Sequence, residues 1–162
     1  RRDVVEALLH PPRLHRRLIA SPPPGPDAEL PATTVIDTAI AKSRKHIRKA
    51  QKDLSDLAEG SDEWQEQLHK IRKRAKRLRY SIDATEPLNK KKYRNVGAVA
   101  KKIQSALGDF NDIRINRARL ASIVEDGKLG AADMFIVGRL DARLEADAHR
   151  AVAEYRKAAK DL

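Results

Sequence analysis

LHKIRKRAKRLRY, residues 68–80, is the stretch on which the reading of the fold turns. Leu68, Ile71, Ala75 and Leu78 recur at spacings of three and four, and Ile82 continues the series. That period predicts a helix with one apolar stripe. Seven of the thirteen residues are Lys or Arg and none is acidic. His69, Arg72, Lys73, Lys76, Arg79 and Tyr80 form a second line beside the stripe, and Lys70, Arg74 and Arg77 take a further face. Like charges one turn apart repel by about 0.2–0.5 kcal/mol per pair. Without an acid inside the segment to offset them, the neutralising charge is expected on a ligand.

The same period extends in both directions. Ile36, Ile40, Ser43, Ile47, Ala50, Leu54 and Leu57 make the stripe of a long helix over 33–59, with Thr34 and Asp37 as an N-terminal cap and Gly60 as the stop. The 68–80 helix starts at Ser61 or Asp62, with Asp62 and Gln65 able to form a capping box, and Pro87 ends it. A third helix puts Val96, Val99, Ile103, Ala106, Leu107 and Phe110 inward, with Gly108 as a kink or stop, and the pattern resumes through Ile113, Leu120 and Val124. EDGKLG (125–130) reads as a turn and 131–160 as a last amphipathic helix. Residues 3–9 and 12–19 read as short helices and 21–31 (SPPPGPDAELP) as a Pro-rich linker. The expected organisation is therefore a helical remnant and linker over 1–32, then an all-α antiparallel bundle over 33–162.

Composition bounds the rest. With 4% aromatic and 41% hydrophobic residues, the core must be aliphatic. No apolar run reaches the length of a membrane span, and no signal-peptide pattern opens the chain. The absence of cysteine excludes disulfides and thiolate metal sites, and a cytoplasmic location is the expectation. The net charge of +11 is concentrated in acid-free segments at 42–52, 69–80 and 88–102, whereas the remainder carries more acids than bases. Such a distribution points to a polyanionic partner. Arg44, Lys45, Arg48, Lys49 and Lys52 flank the seam of the 33–59 helix. Packed beside the 68–80 helix, they would line a cationic trough.

The 68–80 helix closely resembles the signature of the CHAD family, the conserved histidine α-helical domain. His69, Arg72, Lys76, Arg77, Leu78, Arg79 and Tyr80 carry that resemblance. IQSALGDFND (103–112) is similar to the second motif of the family at Gln104, Leu107, Gly108, Asn111 and Asp112. The resemblance implies an all-helical fold and binding of inorganic polyphosphate in a basic channel. It also implies association with polyphosphate granules or fusion to triphosphate tunnel enzymes. Binding residues are expected at Arg44, Lys45, Arg48, Lys49, His69, Arg72, Lys73, Lys76, Arg79, Tyr80 and Lys102. A full domain of the family has two pseudo-symmetric halves, and this chain resembles the C-terminal one. Either it is a piece of such a domain, or two chains pair as a homodimer to rebuild the channel.

Other chemistry is weaker. His69 reads equally as a phosphate donor or as a hydrogen-bonding partner of a neighbouring group. His10, His15, His46 and His149 lack metal-ligand spacing, and Trp64 reads as a packing residue. Asp109 and Asp112 are expected to orient Arg72 or Arg79 rather than hold Mg²⁺, and Asp83 and Glu86 to balance local charge. No phosphate loop or nucleophile–base pair stands out, so the expectation is a non-catalytic protein without cofactor or metal. The alternatives are a nucleic-acid-binding helical protein and an accessory module of a triphosphate- or polyphosphate-processing enzyme.

Overall fold

The computed structural model describes residues 30–162, apart from the side chains of 86–90. The short helices and most of the linker read from residues 1–29 lie outside the described residues. Three helical elements follow in order: α1 (Ala32–Ser55), α2 (Asp62–Glu125) and α3 (Ala131–Ala159). Among the described residues there is no strand. The chain is an all-α bundle.

α1 begins three residues earlier than a cap at Thr34 implies. The Pro31 carbonyl accepts from the N–H groups of Thr34 (2.8 Å) and Val35 (3.3 Å). Asp37 is used elsewhere: its carboxylate accepts from the Tyr93 hydroxyl and from Lys92 Nζ at 2.5 Å, tying α1 to α2. After Ser55 the chain turns through Gly60, whose φ of +89° suits a residue without Cβ. Ser61 caps α2, its hydroxyl accepting from the Trp64 N–H, and Gln65 donates back to the Gly60 carbonyl.

α2 is helical over its whole length, yet it folds back on itself. Arg79 reaches Gln104, and Arg114 reaches Gln65. Residues 65 and 114 would lie about 70 Å apart on a straight helix. The reversal falls between Ile82 and Gly97, which touch. The expected break at Pro87 is thus a change of direction within continuous helical backbone. The two arms, outgoing (62–85) and return (91–125), run antiparallel. Gly108 does not stop the return arm.

The core lies where α1, the two arms and the end of α3 meet. Ile40, Ile47 and Ala50 enter from α1, and Leu68, Ile71, Ala75, Leu78 and Ile82 from the outgoing arm, as their spacing predicts. The return arm adds Ala100, Ile103 and Leu107, and α3 adds Val152, Tyr155 and Ala158. Ile47, Leu68, Ile71, Leu78, Ile103 and Leu107 are fully buried. Each stabilises the fold by about 1.5–3 kcal/mol relative to exposure. No polar or charged residue is fully buried among the described residues. Burial pushes the Tyr155 phenol up to about 12, so it stays neutral at physiological pH. Trp64 packs edge-on to Phe110 at 5.7 Å, the packing role its isolation implied.

Beyond Phe110 the return arm and the first half of α3 continue as a two-helix overhang. Arg117 clamps it through two hydrogen bonds to the Asp141 carboxylate, at 2.7 and 2.9 Å. The pair favours both charged forms, raising the Arg117 pKa and lowering that of Asp141. Among the described residues few neighbours cover this overhang, and Ile115, Ile123, Met134, Phe135, Ile136 and Leu140 are exposed on it.

Candidate functional site

The buried stripe of the outgoing arm sets the orientation of its cations. With Leu68, Ile71, Ala75 and Leu78 inward, Arg72 and Arg79 fall at the junction with the return arm and are half-buried. His69, Lys73, Lys76 and Tyr80 lie further out and are exposed. These six residues form one continuous face about 15 Å long, at 1.5 Å per residue.

Each arginine faces a residue of the 103–112 motif. Arg79 Nη1 donates to Gln104 Oε1 at 3.2 Å, and its Nε lies 3.4 Å from Asp83 Oδ2. Its guanidinium also sits 4.9 Å from the centre of the Tyr80 ring, with Lys76 Nζ at 5.6 Å from the same ring. Arg72 lies against Gly108: a Cβ there would be 3.6 Å from Nε. Arg72 Nε is buried without a hydrogen-bond partner, an unsatisfied donor at the margin of the cationic face. His69 borders a hollow with Gln65, Glu66, Leu107, Asn111 and Arg114. Partial desolvation, then Lys73, Arg72 and Arg114, hold its pKa below 6.5, with Glu66 opposing.

Asp109 and Asp112 do not orient these arginines. Asp112 is exposed and, among the described residues, accepts only from Asn111 Nδ2, at 3.5 Å. Asp109 lines a different groove, between the return arm and α3. The reason is helical phase. Positions 104, 108 and 111 face the outgoing arm, and 109 and 112 are turned away from it. Asp83 does pair with Arg79, and Glu66 pairs with Lys70 at 3.1 Å. These flanking acids offset part of the charge; Arg72, Lys73 and Lys76 keep no ion pair within the described residues.

The remaining expected ligands lie elsewhere. Arg44 (Nε, 3.0 Å) and Arg48 (Nη2, 2.8 Å) both donate to the backbone oxygen of Leu162, on the edge of α1 that faces α3. Lys45 and Lys49 are exposed on α1. The contact of α1 with the outgoing arm is made instead by Arg74, which donates to the His46 carbonyl at 2.7 Å. Lys102 lines the α3 groove with Asp109, Asp147, Glu154 and Lys157. Arg44, Arg48 and Lys102 therefore do not join the His69–Tyr80 row in a single trough. Arg114, which the sequence reading missed, stands beside His69 and donates to Gln65 at 3.2 Å. It lies three residues beyond Asn111, so extending the second motif by one turn would have found it. Among the described residues no group of three His, Cys, Asp or Glu could hold a metal ion, and no helix is long and apolar enough to cross a membrane.

A bundle in which one basic helix motif interlocks with a Gln-x-x-Leu-Gly motif on the returning arm defines a recognisable class of helical domain. The chain belongs to the CHAD family: the CHAD domain model matches residues 4–121. α3 lies beyond the matched residues. Two curated proteins of Mycobacterium tuberculosis, one from each of two strains and each described as uncharacterized, are 39% identical over 109 residues, 67% of this chain. The aligned stretch is 20% of each relative, so the chain spans about a fifth of the length of the curated relatives it matches. No solved structure matches. CHAD domains are associated with proteins of polyphosphate and triphosphate chemistry.

Proposed function

We propose that the chain binds inorganic polyphosphate, without catalysis, along the face of α2 that runs from His69 to Tyr80. The observation that carries this reading is the state of Arg72. Its guanidinium is held between two helices, yet Nε has no partner among the described residues. A buried donor left unsatisfied costs about 1–3 kcal/mol, and a phosphoryl oxygen that drew the guanidinium outward to the face would remove that cost through a charge-assisted bond. Lys73, Lys76, Arg79 and Arg114 extend the row, so a linear anion meets a cation at nearly every turn. Arg79 is pre-oriented by Gln104 and Asp83, which reduces the ordering cost of binding. Targeting to cytoplasmic polyphosphate granules, or service as an accessory module beside a polyphosphate-processing enzyme, follows from the same affinity.

Tyr80, 50% exposed, is the one feature that favours a nucleic acid instead. Single strands are bound through several stacked aromatics in a row, and this face carries one. The test is affinity for polyphosphate across a salt series, with DNA and RNA as competitors at matched phosphate concentration. Affinity should fall steeply with salt through counterion release. The combined change Arg72→Glu, Lys76→Glu and Arg79→Glu should weaken binding by at least about a hundredfold, since each contact of this kind contributes about 1.5–3 kcal/mol. Lys128→Glu with Arg143→Glu, away from the face, should cost less than about twofold. A salt-independent affinity, equal losses from both sets, or stronger capture by nucleic acid would each refute the proposal.

A further inference from the structure

The overhang beyond Phe110 carries a second, mainly apolar surface that meets the cationic face only at Arg114. Two helices alone cannot bury their facing apolar stripes and require another layer. Between them lies an open hollow of about 890 Å³. Trp64 and Phe110 form its base, Ala118, Ala121 and Gly138 line it, and Met134 stands at its outer end. Phe135, beside Met134 at the tip, is 66% exposed.

We propose that this hollow receives the tip of the same overhang from a second copy of the chain, two hairpins packing antiparallel about a two-fold axis. The shapes are complementary: Met134 and Phe135 project at the tip, and small residues leave room nearer the base. Charge is complementary in the same sense. Glu125, Asp126 and Asp133 outnumber Lys128 and Arg139, whose guanidinium lies over the Phe135 ring, so the tip is acidic by one charge. The base presents Arg114, which among the described residues donates to the neutral side chain of Gln65 and pairs with no acid. Glu59 and Glu145 at that end are already paired, with Arg156 at 2.7 Å and Arg117 at 3.8 Å. A two-fold axis makes each contact twice, so Glu125 meets Arg114 of the partner and the reverse.

The size of the face sets the strength. It is about 22 Å long and two helices, about 20 Å, wide, or roughly 440 Å² per copy. A standard stable interface covers about 800 Å² per partner. The dimer is therefore weak and concentration-dependent. It requires no polyanion, which separates it from pairing through the cationic faces.

Sedimentation of the full chain from about 1 µM to about 1 mM, without polyphosphate, tests this. A monomer–dimer equilibrium is expected within that range. Gly138→Leu fills the hollow, and because a Cβ there meets nothing within 4 Å it leaves the fold intact. Phe135→Asp removes the projecting ring. Each should move the midpoint upward by at least about tenfold, with helix content unchanged by circular dichroism. Glu125→Arg should weaken the dimer and Arg114→Glu in the same chain should restore it. A monomer at every concentration, or a dimer that neither Gly138→Leu nor Phe135→Asp shifts, overturns the proposal.

Discussion

Arg72 and Arg79 occupy equivalent junctions between the same two helical arms but are held in opposite ways. Gln104 gives Arg79 an acceptor, whereas Gly108 gives Arg72 only room. His69 lies one turn away, and its lowered pKa keeps the ring neutral near pH 7 in the free protein. A bound polyanion would raise that pKa, so binding would take up a proton. Polyphosphate affinity is therefore expected to strengthen as pH falls from about 7.5 to about 5.5. His69→Gln should lose that increment, and identical pH profiles for the two proteins would remove His69 from the binding face. Folding has the opposite sign. With the folded pKa depressed, the contribution of His69 to stability is present above its unfolded value of 6.5 and lost as pH falls below it. At this scale the sequence was informative where side chains follow the helical period. The buried stripe and the cationic row beside it were legible from spacing alone. The assignment of Asp109 and Asp112 to the arginines failed because proximity in sequence on a helix is not proximity on a face.

Among the elements, α2 departs most from its reading. Pro87 marked a helix end and Gly108 a kink or stop, yet helical backbone runs from Asp62 to Glu125 and reverses on itself. The two arms were legible as separate helices, because each carries its own apolar stripe. The glycines were not legible as spacers, because their role depends on what approaches them from the other arm. Gly97 shows the difference: a Cβ would lie 3.2 Å from Ile82 Cγ2. Gly97→Leu should force the arms apart and destabilise the protein by about 1–3 kcal/mol. Gly138→Leu, in open space on α3, should be neutral or stabilising by up to about 1 kcal/mol through helix propensity. Urea denaturation of the two variants compares them directly. Equal effects would mean that the contact between Gly97 and Ile82 does not limit how closely the arms pack.

For the whole molecule, periodicity identified the all-α class and most of the core, but not which helices neighbour one another. That gap is why Arg44 and Arg48 were placed with the 68–80 row: an amphipathic pattern shows which face is inward, not which edge meets which neighbour. The overhang was hidden for the same reason, since a stripe does not reveal whether another layer covers it. The pairing of Arg44 with Leu162 has a further consequence, in time rather than space. Arg79 and Gln104 are 25 residues apart, whereas Arg44 and Leu162 are 118 apart. Entropy opposes the larger closure more, so the two arms of α2 should zip first and the seam between α1 and α3 close last. Native-state hydrogen exchange should then find amides at the α1–α3 edge opening before those at the centre of the α2 arms, and the reverse order would place the nucleus elsewhere. A seam that joins residues 118 apart closes only after the arms of α2 have already met, so its amides are protected last.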